Sequence, residues 1–224
     1  GGSDVGHGEA ILRKVQKTFF GPVRVSVMMD SNGSNTTAAA AVLCAGRHLS
    51  LEGAEALVLG GTGPVGHRAA QLLAGQGARV RVASRSLERA EKTCASIREI
   101  APNAAVVPYG AQSKAKLDEA ADGVSLIVSA GAAGVQFFPP EDWQRVKTVK
   151  AAIDLNAVPP AGLGGIEPTD KGTERDGVIC YGAIGVGGLK MKIHKAAVAR
   201  LFETNDAVLD TDDIYRIGTA LTAS

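Results

Sequence analysis

A glycine-rich turn between a strand pattern and a helix pattern constrains the fold of this chain more than any other feature. Residues 61–66 read G-T-G-P-V-G, which fits G-x-G-x-x-G; they follow the short apolar run 56–59 and open the helical pattern 65–73. In this setting the first glycine permits a tight turn, the second lets a pyrophosphate approach the backbone, and the third lets the helix lie close to the strand. The proline is preset for a first helical turn and costs no hydrogen bond there. The segment therefore predicts a dinucleotide site made by Gly61, Thr62, Gly63, Pro64, Val65 and Gly66.

Short apolar runs recur along the chain after this turn. They lie at residues 79–83, 104–107, 124–129, 151–155 and 178–181. Helical patterns such as residues 86–100 stand between several of them. Strands that alternate with helices form parallel sheets whose two faces are covered by those helices. The sequence therefore predicts an α/β fold with a doubly wound, mostly parallel Rossmann sheet over residues 51–183.

Both ends of the chain lie outside this domain. Residues 9–20 have apolar side chains at helical spacing, residues 23–29 alternate as a strand does, and residues 36–43 again favour a helix. Further helices are expected over residues 184–202 and from Thr211 to Leu221. We interpret residues 1–50 as part of a substrate-side domain that lacks an upstream segment, and residues 184–224 as helices that pack back on it.

The end of the second strand indicates which cofactor the domain prefers. Ser84, Arg85 and Ser86 stand where an NAD-specific enzyme usually has a carboxylate for the ribose hydroxyls. A guanidinium grips phosphate through two parallel bonds, so this triplet favours the 2′-phosphate of NADP, with NAD still possible. The alternative is that Arg85 is only a solvated loop residue.

Two further strand ends meet the same edge of the predicted sheet. Ala130 and Gly131 follow one strand and Asn156 follows the next. Because dinucleotides bind outside the carboxyl ends of such strands, we expect these three residues to contact the nicotinamide side of the cofactor.

Composition limits the partners and the compartment. Lys and Arg number 24 against 23 for Asp and Glu, so no field suited to nucleic acid is expected. The three cysteines are far apart, which argues against disulfides and against a local metal site and favours a reducing compartment. No apolar run approaches the roughly 18 to 20 residues of a membrane span. We therefore expect a cytoplasmic protein with a small-molecule partner, no membrane, no nucleic acid and no metal.

A polar turn and one lysine are the candidate substrate contacts. Asn32, Asn35 and Thr36 follow a strand pattern at the start of a helix, where they present several donors, although plain helix capping explains them equally well. Lys190 follows a glycine run at the expected start of another helix, where a lysine gains nothing from the helix dipole. A solvated surface lysine is the alternative. His194 would share the helical face of Lys190.

Three motifs taken together resemble a known family. Residues 30–38 read D-S-N-G-S-N-T-T-A, residues 61–66 read G-T-G-P-V-G, and residues 182–190 read G-A-I-G-V-G-G-L-K. In this order they resemble the bacterial NAD(P)-dependent methylene-tetrahydromethanopterin dehydrogenases, from the first residues to about residue 215. Family members begin with a further segment upstream of the point that matches Gly1.

The resemblance implies a reaction. It is hydride transfer from methylene-tetrahydromethanopterin, or possibly methylene-tetrahydrofolate, to NADP⁺, which gives a methenyl cation in one-carbon metabolism. It also implies that Lys190 faces the pterin and that the protein is a homotrimer or a multiple of one. The sequence contains no recognisable nucleophile triad, metal-ligand pair or acid dyad, so positioning and electrostatics are expected to carry the catalysis.

Two other functions fit the nucleotide motif. One is an NADP-linked dehydrogenase of the shikimate type, whose lysine–aspartate pair would lie outside the nucleotide domain. The other is a non-catalytic dinucleotide sensor, in which the polar turn and Lys190 would have no chemical reason to exist.

Overall fold

The computed structural model describes residues 5–223. Residues 1–4 and 224, the outer ends of the predicted regions 1–50 and 184–224, lie outside the described part. Within it, no helix is both long and apolar enough to cross a membrane. The helices are α1 Val5–Gln16, α2 Ser34–Gly46, α3 Pro64–Gly75, α4 Leu87–Ile100, α5 Lys114–Ala121, α6 Pro140–Trp143, α7 Ala183–Arg200 and α8 Thr211–Thr222. The strands are β1 Val27–Met28, β2 Glu55–Leu59, β3 Arg79–Ser84, β4 Val106–Gly110, β5 Leu126–Ser129, β6 Ala151–Asp154, β7 Lys171–Arg175, β8 Val178–Tyr181 and β9 Val208–Leu209.

Seven strands form the central sheet in the order β4-β3-β2-β5-β6-β8-β7. All neighbours are parallel except β7 and β8. The chain runs outward from β2 through β3 to β4 and then crosses to β5, so a topological switch point lies between β2 and β5. The doubly wound, mostly parallel Rossmann sheet predicted from the sequence is confirmed. Leu59 is paired with Ala83 on one side and Ser129 on the other, which brings three carboxyl ends to one edge.

The two faces of this sheet pack into two separate apolar clusters. In β2, Ala56 and Val58 belong to one cluster, and Leu57 and Leu59 belong to the other. All four side chains have no exposed surface, because successive side chains of a strand point to opposite faces and helices cover both. Helix α2 is buried along most of its length in the first cluster, so the polar turn before it is anchored to the same core as the nucleotide domain.

The expected strand over residues 23–29 is much shorter in the structure. Phe20 and Val23 pair with each other around Gly21, which has a φ of 53°. Only β1 is a strand, and it pairs with β9 in a two-stranded parallel sheet. Alternation indicates an extended backbone, but the length of a strand is set by its partner, and β9 has two residues.

Two differences concern the edges of the large sheet. The strand expected at residues 104–107 lies at Val106–Gly110, where Pro108 is tolerated because β4 is an edge strand. Strand β7 was not predicted. Its sequence K-G-T-E-R is polar and largely exposed, as an edge strand permits, and therefore lacks the apolar pattern of a buried strand.

Candidate functional site

A cavity of about 420 Å³ opens at the carboxyl edge of the large sheet, at the switch point. The residues that line it come from the turn after β2, the end of β3, the start of α4 and the loop after β5. They are Gly60, Thr62, Gly63, Ser84, Arg85, Ser86, Arg89, Ala130, Gly131, Ala132, Val135 and Phe137. The structure thus brings together seven of the residues that the sequence predicted to bind the cofactor: Thr62, Gly63, Ser84, Arg85, Ser86, Ala130 and Gly131.

The roles of the glycines in this turn differ partly from expectation. The left-handed residue is Gly60, with a φ of 67°, and not Gly61. Gly61 is required for another reason: a Cβ there would lie 2.7 Å from Cγ1 of Val82 on β3. A Cβ on Gly66 would lie 2.4 Å from the carbonyl oxygen of Gly60, so the predicted close approach of helix and strand is confirmed.

Gly63 is the glycine that faces the ligand volume. Its φ is −79°, which any residue adopts, and a Cβ would lie 3.4 Å from the nearest protein atom, the carbonyl oxygen of Gly60. No protein contact therefore demands a glycine here, whereas the phosphates of a dinucleotide would need the space. Pro64 is the first residue of α3, as expected. The N–H groups of Val65 and Gly66 are in the first helical turn, where helix geometry leaves donors free for an anion. The residues present fit a dinucleotide.

Two arginines and two serines line this cavity at the end of β3 and the start of α4. Ser86 is the N-cap of α4 and accepts a hydrogen bond from the Arg89 N–H at 3.3 Å. The Ser84 hydroxyl accepts from the Ser86 N–H at 3.3 Å and lies 3.3 Å from the Thr62 hydroxyl. Arg85 and Arg89 are exposed and line the same cavity. Arg89 was not among the residues predicted from the sequence, although it lies within the first turn of the helix that Ser86 caps.

Asn156 was predicted to contact the cofactor, but its side chain forms hydrogen bonds within its own loop. Its amide donates to the carbonyl oxygen of Pro160 and its Oδ1 accepts from the Val158 N–H, and it does not line the cavity. The neighbouring Asp154 is buried and accepts from the N–H groups of Asn156 and Leu163. Burial raises the pKa of the Asp154 carboxyl, while those N–H groups act in the opposite direction. Both side chains hold the loop after β6 in shape.

A second cavity, of about 560 Å³, lies beside the polar turn. Its apolar wall comes from α1 and β1, and its polar end comes from the turn and from α7. The lining residues are Gly8, Ile11, Leu12, Val15, Val27, Met28, Met29, Asp30, Ser31, Asn32 and His194. Such a combination suits a ligand with a flat apolar body and a polar edge.

The three substrate contacts predicted on the polar turn do not share one role. Asn32 is exposed, has a φ of 55° and lines the second cavity. Asn35 is buried and donates to the carbonyl oxygen of Met29. Thr36 is fully buried and donates to Asp30 through its N–H at 3.0 Å and its hydroxyl at 2.8 Å. Asn35 and Thr36 are therefore engaged within the protein, but neither side chain accepts from an N–H of α2 as a cap would; the carboxylate of Asp30 accepts from the Thr36 N–H instead.

Lys190 is not at the start of a helix, and this part of the sequence analysis was wrong. Helix α7 begins at Ala183, so Lys190 is its eighth residue. The glycines before it are helical: a Cβ on Gly185 would lie 1.7 Å from the carbonyl oxygen of Asp170, so glycine there serves close packing. The half-buried Lys190 side chain reaches the polar turn, since a Cβ on Gly33 would be 3.3 Å from its Nζ. His194, one turn later, contacts the same turn: its Nδ1 lies 3.4 Å from Oδ2 of Asp30.

The described residues offer no other obvious reactive group. Among residues 5–223, no three His, Cys, Asp or Glu side chains are grouped so as to hold a metal ion. Burial raises the pKa of Cys44 and Cys94 to about 11 and that of Cys180 to about 12. These cysteines are buried thiols near neutral pH and lack the low pKa of catalytic cysteines.

Comparisons with known proteins identify two segments of this chain and two relatives that span most of it. The family model "Methylene-tetrahydromethanopterin dehydrogenase, N-terminal" matches residues 1–32, and the short chain dehydrogenase model matches residues 54–160. The "Bifunctional protein MdtA" of Methylorubrum extorquens is 44% identical over 220 residues, which are 97% of this chain and 76% of that protein. The "NAD(P)-dependent methylenetetrahydromethanopterin dehydrogenase" of the same species is 30% identical, over 92% of this chain and 73% of that protein.

Similar solved structures confirm the fold. The transhydrogenase from Sinorhizobium meliloti has a TM-score of 0.55 and 19% identity, and the match covers 85% of this chain and 54% of that one. The quinate dehydrogenase from Corynebacterium glutamicum in complex with NAD has a TM-score of 0.53 and 19% identity, over 85% of this chain and 62% of that one. At this identity the likeness extends to the fold alone.

Proposed function

The chain belongs to the methylene-tetrahydromethanopterin dehydrogenase family of nicotinamide-dependent oxidoreductases, and on this premise we propose that it oxidises methylene-tetrahydromethanopterin with NADP⁺. The products would be the methenyl form of the pterin and NADPH. The observation that carries the proposal is the position of the polar turn. Ser34 and Asn35 line a small void together with Pro64, the first residue of the helix that faces the dinucleotide. Gly8, Met29 and Ser31 line both this void and the second cavity, so the second cavity lies close to the start of α3.

The preference for NADP over NAD is part of the proposal. Ser84, Arg85, Ser86 and Arg89 line one end of the nucleotide cavity, and none of them is a carboxylate. A 2′-phosphate would find two guanidinium groups there, and such charge-assisted bonds are stronger than neutral ones. The ribose hydroxyls of NAD would lack their usual acidic partner.

The chemistry requires little from the side chains. When bound, NADP⁺ supplies a nicotinamide ring that accepts a hydride. The departing hydride leaves a carbon between two nitrogen atoms whose lone pairs assist its departure, so no nucleophile or general base is obligatory. The protein has to hold donor and acceptor at close range and exclude water. Asn32, which lines the second cavity, and Lys190, which lies against Gly33 of the same turn, are our candidates for contacting the pterin, with Lys190 closest to the chemistry.

An assay with two pterins and two cofactors tests this function. Protein expressed from its complete reading frame is mixed with methylene-tetrahydromethanopterin or methylene-tetrahydrofolate and with NADP⁺ or NAD⁺, and formation of the reduced cofactor is followed by its absorbance. We expect the highest kcat/KM with methylene-tetrahydromethanopterin and NADP⁺. Tight NADP binding without oxidation of either pterin would refute the proposal and favour a dinucleotide sensor.

We also propose that the enzyme is cytoplasmic and homo-oligomeric. Three buried free cysteines and no disulfide among the described residues agree with a reducing compartment. Exposed apolar side chains such as Phe20 and Phe202, at 83% and 86%, agree with a further protein surface packing there. Analytical ultracentrifugation of the purified protein measures the oligomeric state, and a single monomeric species would contradict this part.

A further inference from the structure

Asp30 and His194 meet across two elements at the polar end of the second cavity. The Asp30 side chain is only 4% exposed, and its carboxylate already accepts two hydrogen bonds from Thr36. His194 Nδ1 lies 3.4 Å from Oδ2 of Asp30; this nitrogen is buried and makes no well-formed hydrogen bond. The rest of the imidazole is different, since the side chain is 36% exposed and lines the cavity. The Nδ1 edge of the ring therefore faces a carboxylate, while the side chain as a whole is part of the cavity lining.

The carboxylate determines which ring nitrogen carries the proton in the neutral imidazole. An ionised carboxylate only accepts hydrogen bonds, so the nitrogen that faces it carries the hydrogen. In that tautomer Nε2 is an acceptor. Thr36, at the start of α2, holds the Asp30 carboxylate through two hydrogen bonds, so the group that faces Nδ1 of His194 is fixed by a buried residue.

We propose that His194 is a specificity-determining residue that accepts a hydrogen bond from an N–H group of the tetrahydropterin through Nε2. This inference rests on the proposed function and assigns a new residue to the same site. A pterin carries N–H donors along the edge of a flat ring system, and the cavity pairs an apolar wall, which includes Leu12 and Met28, with this polar end. Asp30 acts as a positioning residue that sets the tautomer.

Two conservative variants separate this role from a structural one. In His194→Gln the side-chain amide reaches the place of Nε2 and can accept from the substrate. In His194→Asn the amide stays near the place of Nδ1 and can face only Asp30. His194→Ala removes both contacts. Lys195→Ala, on an exposed neighbour in the same helix, is the matched control.

The expected readout is a change in KM with little change in kcat, because a substrate hydrogen bond kept through the transition state acts as uniform binding. A neutral hydrogen bond supports an effect of about three- to tenfold. His194→Ala and His194→Asn should raise the KM for the pterin by that factor, His194→Gln should recover most of it, and the Kd for NADP⁺ should stay unchanged. Rescue by Asn and not by Gln would overturn the proposal, because it would mean that only the contact with Asp30 matters.

The outcomes also separate this inference from the proposed function. A wild-type protein that neither binds nor oxidises a tetrahydropterin refutes both. An active wild type whose KM is the same in His194→Ala refutes only the role of His194. The melting temperature of every variant is measured in parallel. If the KM rose only in proportion to the loss of stability, and if His194→Gln had a KM as high as that of His194→Ala, the inference would be wrong.

Discussion

Gly63 and Gly66 lie three residues apart in one turn and are required for different reasons. At Gly66 a side chain would collide with the backbone of Gly60. At Gly63 a side chain would fit the protein and would project where a pyrophosphate is expected. Gly66 is therefore required by the packing of the protein, and Gly63 is open to the cavity.

We predict that Gly63→Val abolishes NADP binding and leaves the protein folded, because its φ suits any residue and its Cβ position is clear of protein atoms. Gly66→Ala should instead lower the melting temperature, because its Cβ would lie 2.4 Å from a carbonyl oxygen. Calorimetric titration and circular dichroism measure the two effects. A folded Gly63→Val protein with wild-type affinity would be incompatible with the assigned phosphate site.

Arg85 and Arg89 give a second prediction at the scale of single residues. Each single alanine variant should weaken NADP binding about tenfold or more, since a hydrogen bond to a charged group contributes roughly 1.5 to 3 kcal/mol. Affinity for NAD should change little, because NAD lacks the 2′-phosphate. Lys92→Ala, which removes an exposed partner of Glu88 on the same helix, is the control. If both cofactors lost affinity equally, the arginines would be binding the shared pyrophosphate and not the 2′-phosphate.

At the scale of elements, close helix packing positions the polar end of the second cavity. Gly185 lets α7 approach the loop before β7, and Gly218 lets α8 approach Leu43 on α2. Helix α7 is thereby held so that Lys190 and His194, four residues apart, reach the turn before α2. Neither side chain could be paired with that turn from local sequence.

Lys190→Ala should therefore lower kcat/KM for the methylene-pterin by about tenfold or more, a cost on the order of 1.4 kcal/mol in the transition state. The affinity for NADP should stay the same, because the lysine lies over Gly33 and not in the nucleotide cavity. Lys192→Ala, two residues away and exposed, is the matched control. Steady-state kinetics and NADP titration test this prediction. A near-normal kcat/KM would mean that Lys190 is only a solvated surface residue, and a selective loss of NADP affinity would mean that it contacts the cofactor.

At the scale of the whole molecule, one ion pair ties the N-terminal helix to the nucleotide domain. Arg68 on α3 is 2% exposed and donates to Glu9 on α1 at 2.7 Å and to Gln71 at 2.8 Å. Helix α1 forms one wall of the second cavity, and α3 begins at the dinucleotide turn. This contact therefore links the two candidate binding cavities.

Glu9→Ala should lower the free energy of unfolding by about 2 to 3 kcal/mol, because it leaves a buried guanidinium without its charged partner. We expect less than the roughly 3 to 5 kcal/mol lost when a fully buried ion pair is broken, because the Glu9 side chain is 23% exposed. Arg13→Ala removes the exposed neighbour that pairs with Glu9 at 3.8 Å and should cost less than about 1 kcal/mol. Urea unfolding measures the free energy of unfolding of both variants. An equal loss in the two would mean that Arg68 forms an equivalent contact with another group when Glu9 is removed.

The doubly wound sheet, the glycine turn and most of the residues that line the nucleotide cavity could be predicted from the sequence, because they depend on order along the chain. Apolar runs alternate with helical patterns, and residues 61–66 form one local turn. Parallel strands then bring the ends of β2, β3 and β5 to one edge, so Ser84 and Ala130 could be placed beside one cavity without coordinates.

Only the tertiary structure decided which polar residues face a cavity. Asn35 and Thr36 are as polar as Asn32, but their partners, Met29 and Asp30, are supplied by the way the turn folds back. Arg89 lines the nucleotide cavity because of where the helix capped by Ser86 lies, and Lys190 is the eighth residue of α7, whose Gly185 packs against Asp170. The contact between Asp30 and His194 depends on distance in space between two segments far apart in the chain, and local sequence carries no record of that distance.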